Sequence, residues 1–133
     1  MKTLDQEMAG KVYNKVSEYA GRYGKDSPER KKYGSMAHKL PILIRTAGLA
    51  EALAFTDSRK KDPIDSLLNA LAEVVSSDFM PFQNKENLLS KSRSADLQDY
   101  MYLTRRSMLA LKWFKRFAQS ILEVDVTDDA EGG

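Results

Sequence analysis

The sequence predicts an all-α fold: a compact single-domain bundle of about five to six helices around a buried central helix. Three observations predict it. Apolar residues recur at three- and four-residue spacing over most of the chain, and strand alternation appears nowhere over a useful length. Helix-start signals recur at Thr3, Ser27-Pro28, Asp62-Pro63 and Asn84. The stretch Leu40–Phe55 is apolar on almost every side, interrupted only by Arg45, Thr46 and Glu51. A helix of that kind is normally surrounded by other helices. A chain of 133 residues reads as one domain and buries about two-thirds of its unfolded surface.

The first helix is expected over Leu4–Arg22. Thr3 and Gln6 have capping-box spacing, and Leu4, Met8, Val12, Val16 and Tyr19 form its inner face. Gly21 and Gly24 end it. The second helix starts at Ser27-Pro28 and is expected to end near Leu40, because Pro41 disfavours helical geometry in the residue before it. A kink at Pro41 is the other reading. The third helix is the apolar run to Phe55, with Gly48 inside it; close approach of a neighbour would offset the cost of that glycine, about 1 kcal/mol. After a charged loop, Asp62-Pro63 opens a fourth helix to Val75, with Ile64, Leu67, Leu68, Leu71 and Val75 inward. Asn84 caps a short helix through Leu89. The longest helix is expected over Ala95–Glu123, with Leu97, Met101, Leu103, Met108, Leu111, Phe114, Phe117, Ile121 and Leu122 as a broad apolar band. Residues 1–124 make the helical domain, and 125–133 an acidic tail expected to be disordered.

Composition excludes several chemistries. There is no cysteine, so no disulfide or thiolate ligand. A reducing cytoplasmic setting fits, and the N-terminus lacks the apolar core of a signal peptide. The apolar run is about 16 residues and charged, short of the roughly 20 of a membrane span. His38 is the only histidine and is expected at a helix end or exposed, with no nucleophile motif to serve. The pairs Asp62/Asp65 and Asp96/Asp99 stand three residues apart in first turns, where the helix dipole already favours negative charge. No catalytic residue, metal site, cofactor or small-molecule substrate is expected.

Charge points elsewhere. The net charge is +2, but Asp125, Asp128, Asp129 and Glu131 stand in the last nine residues without a Lys or Arg. Removing those four acids from the 19 leaves 15 against 21 basic residues, a body of +6. Arg105, Lys112 and Arg116 are spaced i, i+7, i+11 on the last helix, a stripe about 16 Å long, with Lys115 beside it. The stripe reads equally as a solvated face or as a phosphate contact. Interleaved Tyr100, Tyr102, Trp113, Phe114 and Phe117 read as core. Arg59, Lys60 and Lys61 form a second basic cluster and Arg30, Lys31 and Lys32 a third. Arg45 interrupts the most apolar stretch and is expected to reach the surface or to pair with an acid such as Glu51.

Leu40-Pro-Ile-Leu-Ile-Arg45, Gly48-Leu49, Ala52-Leu-Ala-Phe55, Leu67-Leu68 and Leu71 occur in this order. Tyr102-Leu-Thr-Arg105 and Leu109-Ala-Leu-Lys-Trp113-Phe-Lys-Arg-Phe117 follow. Together they resemble the small subunit of the type III-B (Cmr) CRISPR effector complex, over Gln6 to about Leu122. The resemblance implies a non-enzymatic antiviral-defence protein whose copies stack beside other Cmr subunits and help hold guide RNA and target RNA. It places RNA contact at Arg105, Lys112, Lys115 and Arg116, with Arg45 a further candidate. Arg59, Lys60 and Lys61 rest on charge alone, and the acidic tail is outside the pattern. A helical protein–protein adaptor that never touches nucleic acid is the competing class, and a metal-dependent nuclease the third.

Overall fold

The computed structural model describes residues 1–126. Most of the expected acidic tail therefore lies outside the described residues. Six helices follow one another: α1 (Leu4–Arg22), α2 (Pro28–Ala47), α3 (Leu49–Asp57), α4 (Asp62–Val75), α5 (Lys85–Ser94) and α6 (Leu97–Ser120). No strand occurs among the described residues. No helix among them is long and apolar enough to cross a membrane.

Helix starts match local chemistry. The Thr3 hydroxyl accepts from the Gln6 amide at 3.1 Å, and the Gln6 side chain accepts from the Thr3 amide at 2.8 Å. Ser27, Asn84 and Asp96 cap α2, α5 and α6 by accepting amides three residues on. α1 and α4 have the expected bounds.

The Leu40–Phe55 run is two helices, not one. α2 continues through Pro41, whose ring is buried in the core, and the chain breaks at Gly48. The φ of +90° at Gly48 lies in the region that side chains with a Cβ avoid. Proline costs the helix one hydrogen bond, but packing on α4 and α6 holds the axis through it. Gly48 donates to the Ile44 carbonyl at 2.8 Å, closing α2. The Tyr100 hydroxyl accepts the Ala50 amide at 3.0 Å, capping α3. The run is also not apolar-buried all round, since Ile42 is 48% and Phe55 50% exposed. α2 and α4 carry the centre of the bundle: every inward residue expected on α4 is buried.

Three further expectations are corrected. Leu4, Leu97 and Met101 are exposed, because they lie at helix starts or on the outer face. The short helix extends to Ser94 and the long one spans Leu97–Ser120, because Asp96 supplies the cap. His38 lies in the middle of α2 and is 2% exposed. Its Nε2 stands 2.9 Å from the Val124 carbonyl, and a carbonyl only accepts, so Nε2 carries the proton. The chain after α6 turns back, with the Val124 amide donating to Ala118 O at 2.9 Å. This strap seats the Val124 side chain against Gly34 of α2.

α6 is laid on α1, α2 and α4, with Leu103, Ala110, Leu111, Phe114 and Ala118 inward. Its outer face is what remains for partners.

Candidate nucleic-acid interface

The buried positions of α6 repeat every three to four residues, so Arg105, Lys112, Lys115 and Arg116 fall on its outer side. All four are exposed. Lys112 is nevertheless engaged: its Nζ donates to Asp5 at 2.8 Å and lies 5.1 Å over the Trp113 ring. Trp113 Nε1 donates to the same Asp5 oxygen at 2.9 Å. The Lys112 ammonium, and then the Trp113 indole, hold the Asp5 carboxyl below its ordinary range. Lys112 is therefore a tie between α6 and the first turn of α1. Arg105, Lys115 and Arg116 make no ion pair among the described residues.

The interleaved aromatics are structural, as expected. Phe114 is fully buried. Trp113 stacks on Phe117 at 5.6 Å, and Phe117 meets Tyr13 edge-on at 5.5 Å. Tyr102 bonds to the Ser77 hydroxyl at 3.0 Å. None presents a free ring for a base.

Arg45 is exposed in the last turn of α2, where a cation suits the helix dipole. It makes no pair with Glu51 or any other acid among the described residues. The Leu97 and Met101 side chains share the outer face of α6 with Arg105, and are 72% and 48% exposed.

The second basic cluster stands on the loop between α3 and α4. Arg59 is half-buried, 5.9 Å over the Phe55 ring. Lys60 is exposed at φ +52°, and Lys61 is half-buried at the start of α4. α3, which leads into this loop, packs mainly on α2, α4 and α5 and meets α6 at its other end, through Ala50 and Tyr100.

Two arginines that charge counting would offer to a polyanion are used inside the fold. Arg30 donates from Nε to Tyr23 O at 2.7 Å and from Nη2 to Ala20 O at 3.0 Å, closing the end of α1. Arg106 does the same for α4, donating to Val75 O at 2.9 Å and Ser76 O at 3.4 Å. Helix C-termini leave unpaired carbonyls, and these guanidinium groups satisfy them. Lys85 bridges Asp57 and Asp65 at 2.5 and 2.8 Å, tying α3, α4 and α5. No sequence spacing announces these three roles, since each joins residues 7 to 31 positions apart.

One member of each carboxylate pair is engaged. Asp96 caps α6, and Asp65 holds Lys85. No group of three or more His, Cys, Asp or Glu residues converges among the described residues.

Residues 4–121 match the family model of the CRISPR-associated protein Cas_Cmr5. The chain belongs to the Cmr5 family. A curated relative, the CRISPR system Cmr subunit Cmr5 of Thermus thermophilus, is 43% identical over 123 residues. That match spans 92% of this chain and 99% of the relative. The crystal structure of a CRISPR-associated Cmr5 family protein from the same organism has a TM-score of 0.79 and 42% identity. It is matched over 92% of this chain and 99% of that one. The six-helix bundle is thus a Cmr5 fold, and the resemblance read from Leu40–Phe55 and the last helix is borne out.

Proposed function

We propose that this chain is a non-catalytic subunit of a cytoplasmic Cmr ribonucleoprotein, working in antiviral defence. Copies stack with one another and with other Cmr subunits. Arg105, Lys115 and Arg116, with Arg45 alongside, contact the phosphates of guide RNA and target RNA. The observation that carries this reading is that these four cations are exposed and make no ion pair among the described residues, while Arg30, Arg106, Lys85 and Lys112 are engaged within the fold. Phosphate contact without free aromatic rings gives affinity without base readout. A single copy offers few contacts, so affinity comes from repetition along the assembly.

Salt titration tests it. Four contacts to single-stranded RNA give log K falling with log salt at a slope of roughly −2.8. Arg105→Glu with Lys115→Glu and Arg116→Glu should remove most of that slope. Absence of binding at low salt, both free and in the reconstituted complex, would refute RNA contact. The adaptor reading is favoured by one observation, the exposed Leu97 and Met101 beside Arg105. It is the reading that survives if Met101→Glu blocks assembly while the charge reversals leave RNA retention intact.

A further inference from the structure

The rings of α6 are used within the fold, but the ring that meets them from α1 is half free. Tyr13 is 52% exposed, and its hydroxyl makes no hydrogen bond among the described residues. Three residues before it, Gly10 faces open space: a Cβ there would meet nothing within 4 Å. Packing therefore leaves this large aromatic largely unexplained, since an exposed helix position is better served by Lys, Glu or Ala.

The ring is nevertheless held in place. It meets Phe117 edge-on at 5.5 Å and 82°. Phe117 stacks on Trp113 at 5.6 Å and 27°, and the Trp113 indole donates to Asp5 at 2.9 Å. A ring fixed in this way loses little freedom when a planar group lies against it. A cation stands nearby. Arg116 directly precedes Phe117, about 100° round α6 from it. It is exposed and without an ion pair among the described residues. A free aromatic face beside a free cation is the pairing that single-stranded nucleic acid calls for: the ring takes a base and the cation the backbone. An apolar protein segment would use the ring and leave the guanidinium without a partner.

We propose that Tyr13 is a stacking platform for one unpaired RNA base, with Arg116 holding a phosphate of the same strand. Stacking accepts every base, so the contact adds affinity and no base readout. The inference rests on the phosphate-contact reading of α6 and carries that surface across to α1.

The test titrates the full-length chain with a fluorescent oligouridylate and with the same oligomer carrying abasic sites. Tyr13→Leu keeps an apolar side chain against Phe117 and removes the ring, whereas Tyr13→Phe keeps the ring; thermal scans establish that both are folded. At low salt Tyr13→Leu should bind the oligouridylate about tenfold more weakly than the parent, and Tyr13→Phe within about twofold of it. Tyr13→Leu should keep the salt slope of the parent, whereas Arg116→Gln should flatten it by roughly 0.7. The abasic oligomer should bind the parent and Tyr13→Leu alike. Equal affinity of the parent and Tyr13→Leu for oligouridylate, with the slope intact, overturns the proposal and leaves the phosphate reading standing. If Tyr13→Leu also fails to assemble, the ring is a protein contact instead. No salt-dependent binding by the parent, free or in the reconstituted complex, refutes the phosphate reading and the stacking with it.

Discussion

Alanine at Gly34 is a demanding test of the strap, because elementary helix chemistry predicts the opposite sign. Gly34 lies inside α2, where glycine-to-alanine exchange ordinarily stabilises by about 1 kcal/mol. Here a Cβ would stand 2.6, 2.8 and 2.9 Å from the Cβ, Cγ1 and Cγ2 of Val124. All three are side-chain atoms close to a buried backbone, so the strap must lift. Lifting it exposes the valine, at a cost of about 1.5–2 kcal/mol. It also breaks the His38–Val124 hydrogen bond in a buried setting, about 1 kcal/mol more. Against the propensity gain, Gly34→Ala should destabilise by roughly 1–2 kcal/mol, lowering Tm by roughly 3–10 °C for a chain of this size. The decisive assay is a double-mutant cycle by thermal and urea denaturation. Val124→Gly removes all three close atoms, so in that background Gly34→Ala should turn stabilising by up to about 1 kcal/mol. If Gly34→Ala raises Tm in the parent protein, or the sign does not reverse, the seating of the strap against α2 is refuted.

Two other outcomes follow from the ion pairs. Burial alone would lower the pKa of Lys85, but hydrogen bonds to Asp57 and Asp65 together outweigh it and hold the ammonium above its ordinary 10.5. A raised folded-state pKa contributes stability below 10.5 that is lost as pH climbs past it. Lys85→Met should cost roughly 1–3 kcal/mol at neutral pH, and the gap from the parent should narrow above about pH 10.5 in urea titrations. A gap independent of pH would contradict the bridge. Asp5 is depressed below 3.8, so its contribution is present above 3.8 and lost as pH falls through the lower, folded value. Trp113, the single tryptophan, reports it directly. Its emission should step with a midpoint below 3.8 and lose the step in Asp5→Asn; a midpoint at 3.8 or above would break the assignment.

What can be read from the sequence is what depends on near neighbours. Thr3–Gln6 and Ser27-Pro28 start helices because capping acts within three residues, Pro63 suits the first turn of α4 where its missing N–H costs nothing, and the α4 face Ile64, Leu67, Leu68, Leu71, Val75 is a matter of periodicity. Pro41 misleads because local proline strain takes no account of the packing of α2 on α4 and α6. Gly48 matters for a different reason than its helix propensity suggests: its positive φ breaks the run rather than admitting a neighbour within one helix. The stripe on α6 is legible as geometry, but Lys112 leaves it for Asp5, which is 107 positions away. Arg30 and Arg106 are invisible as helix caps for the same reason. His38 carries a usable hint, since Gly34 one turn earlier marks a place where something crosses the helix.

The pairing of α1 with α6 has a consequence for synthesis on the ribosome. It is the most extensive helix–helix contact of the described chain, and it joins the first helix to the last. As the chain emerges, α1 can meet α4 and, through Tyr19 on Tyr33, the start of α2, but its face on α6 comes last. Closure of the bundle thus waits for α6 to emerge, and contacts of such long separation are slow to form. Nascent chains stalled before α6 emerges should be the ones that engage chaperones, whereas chains with α6 free can cover the first helix.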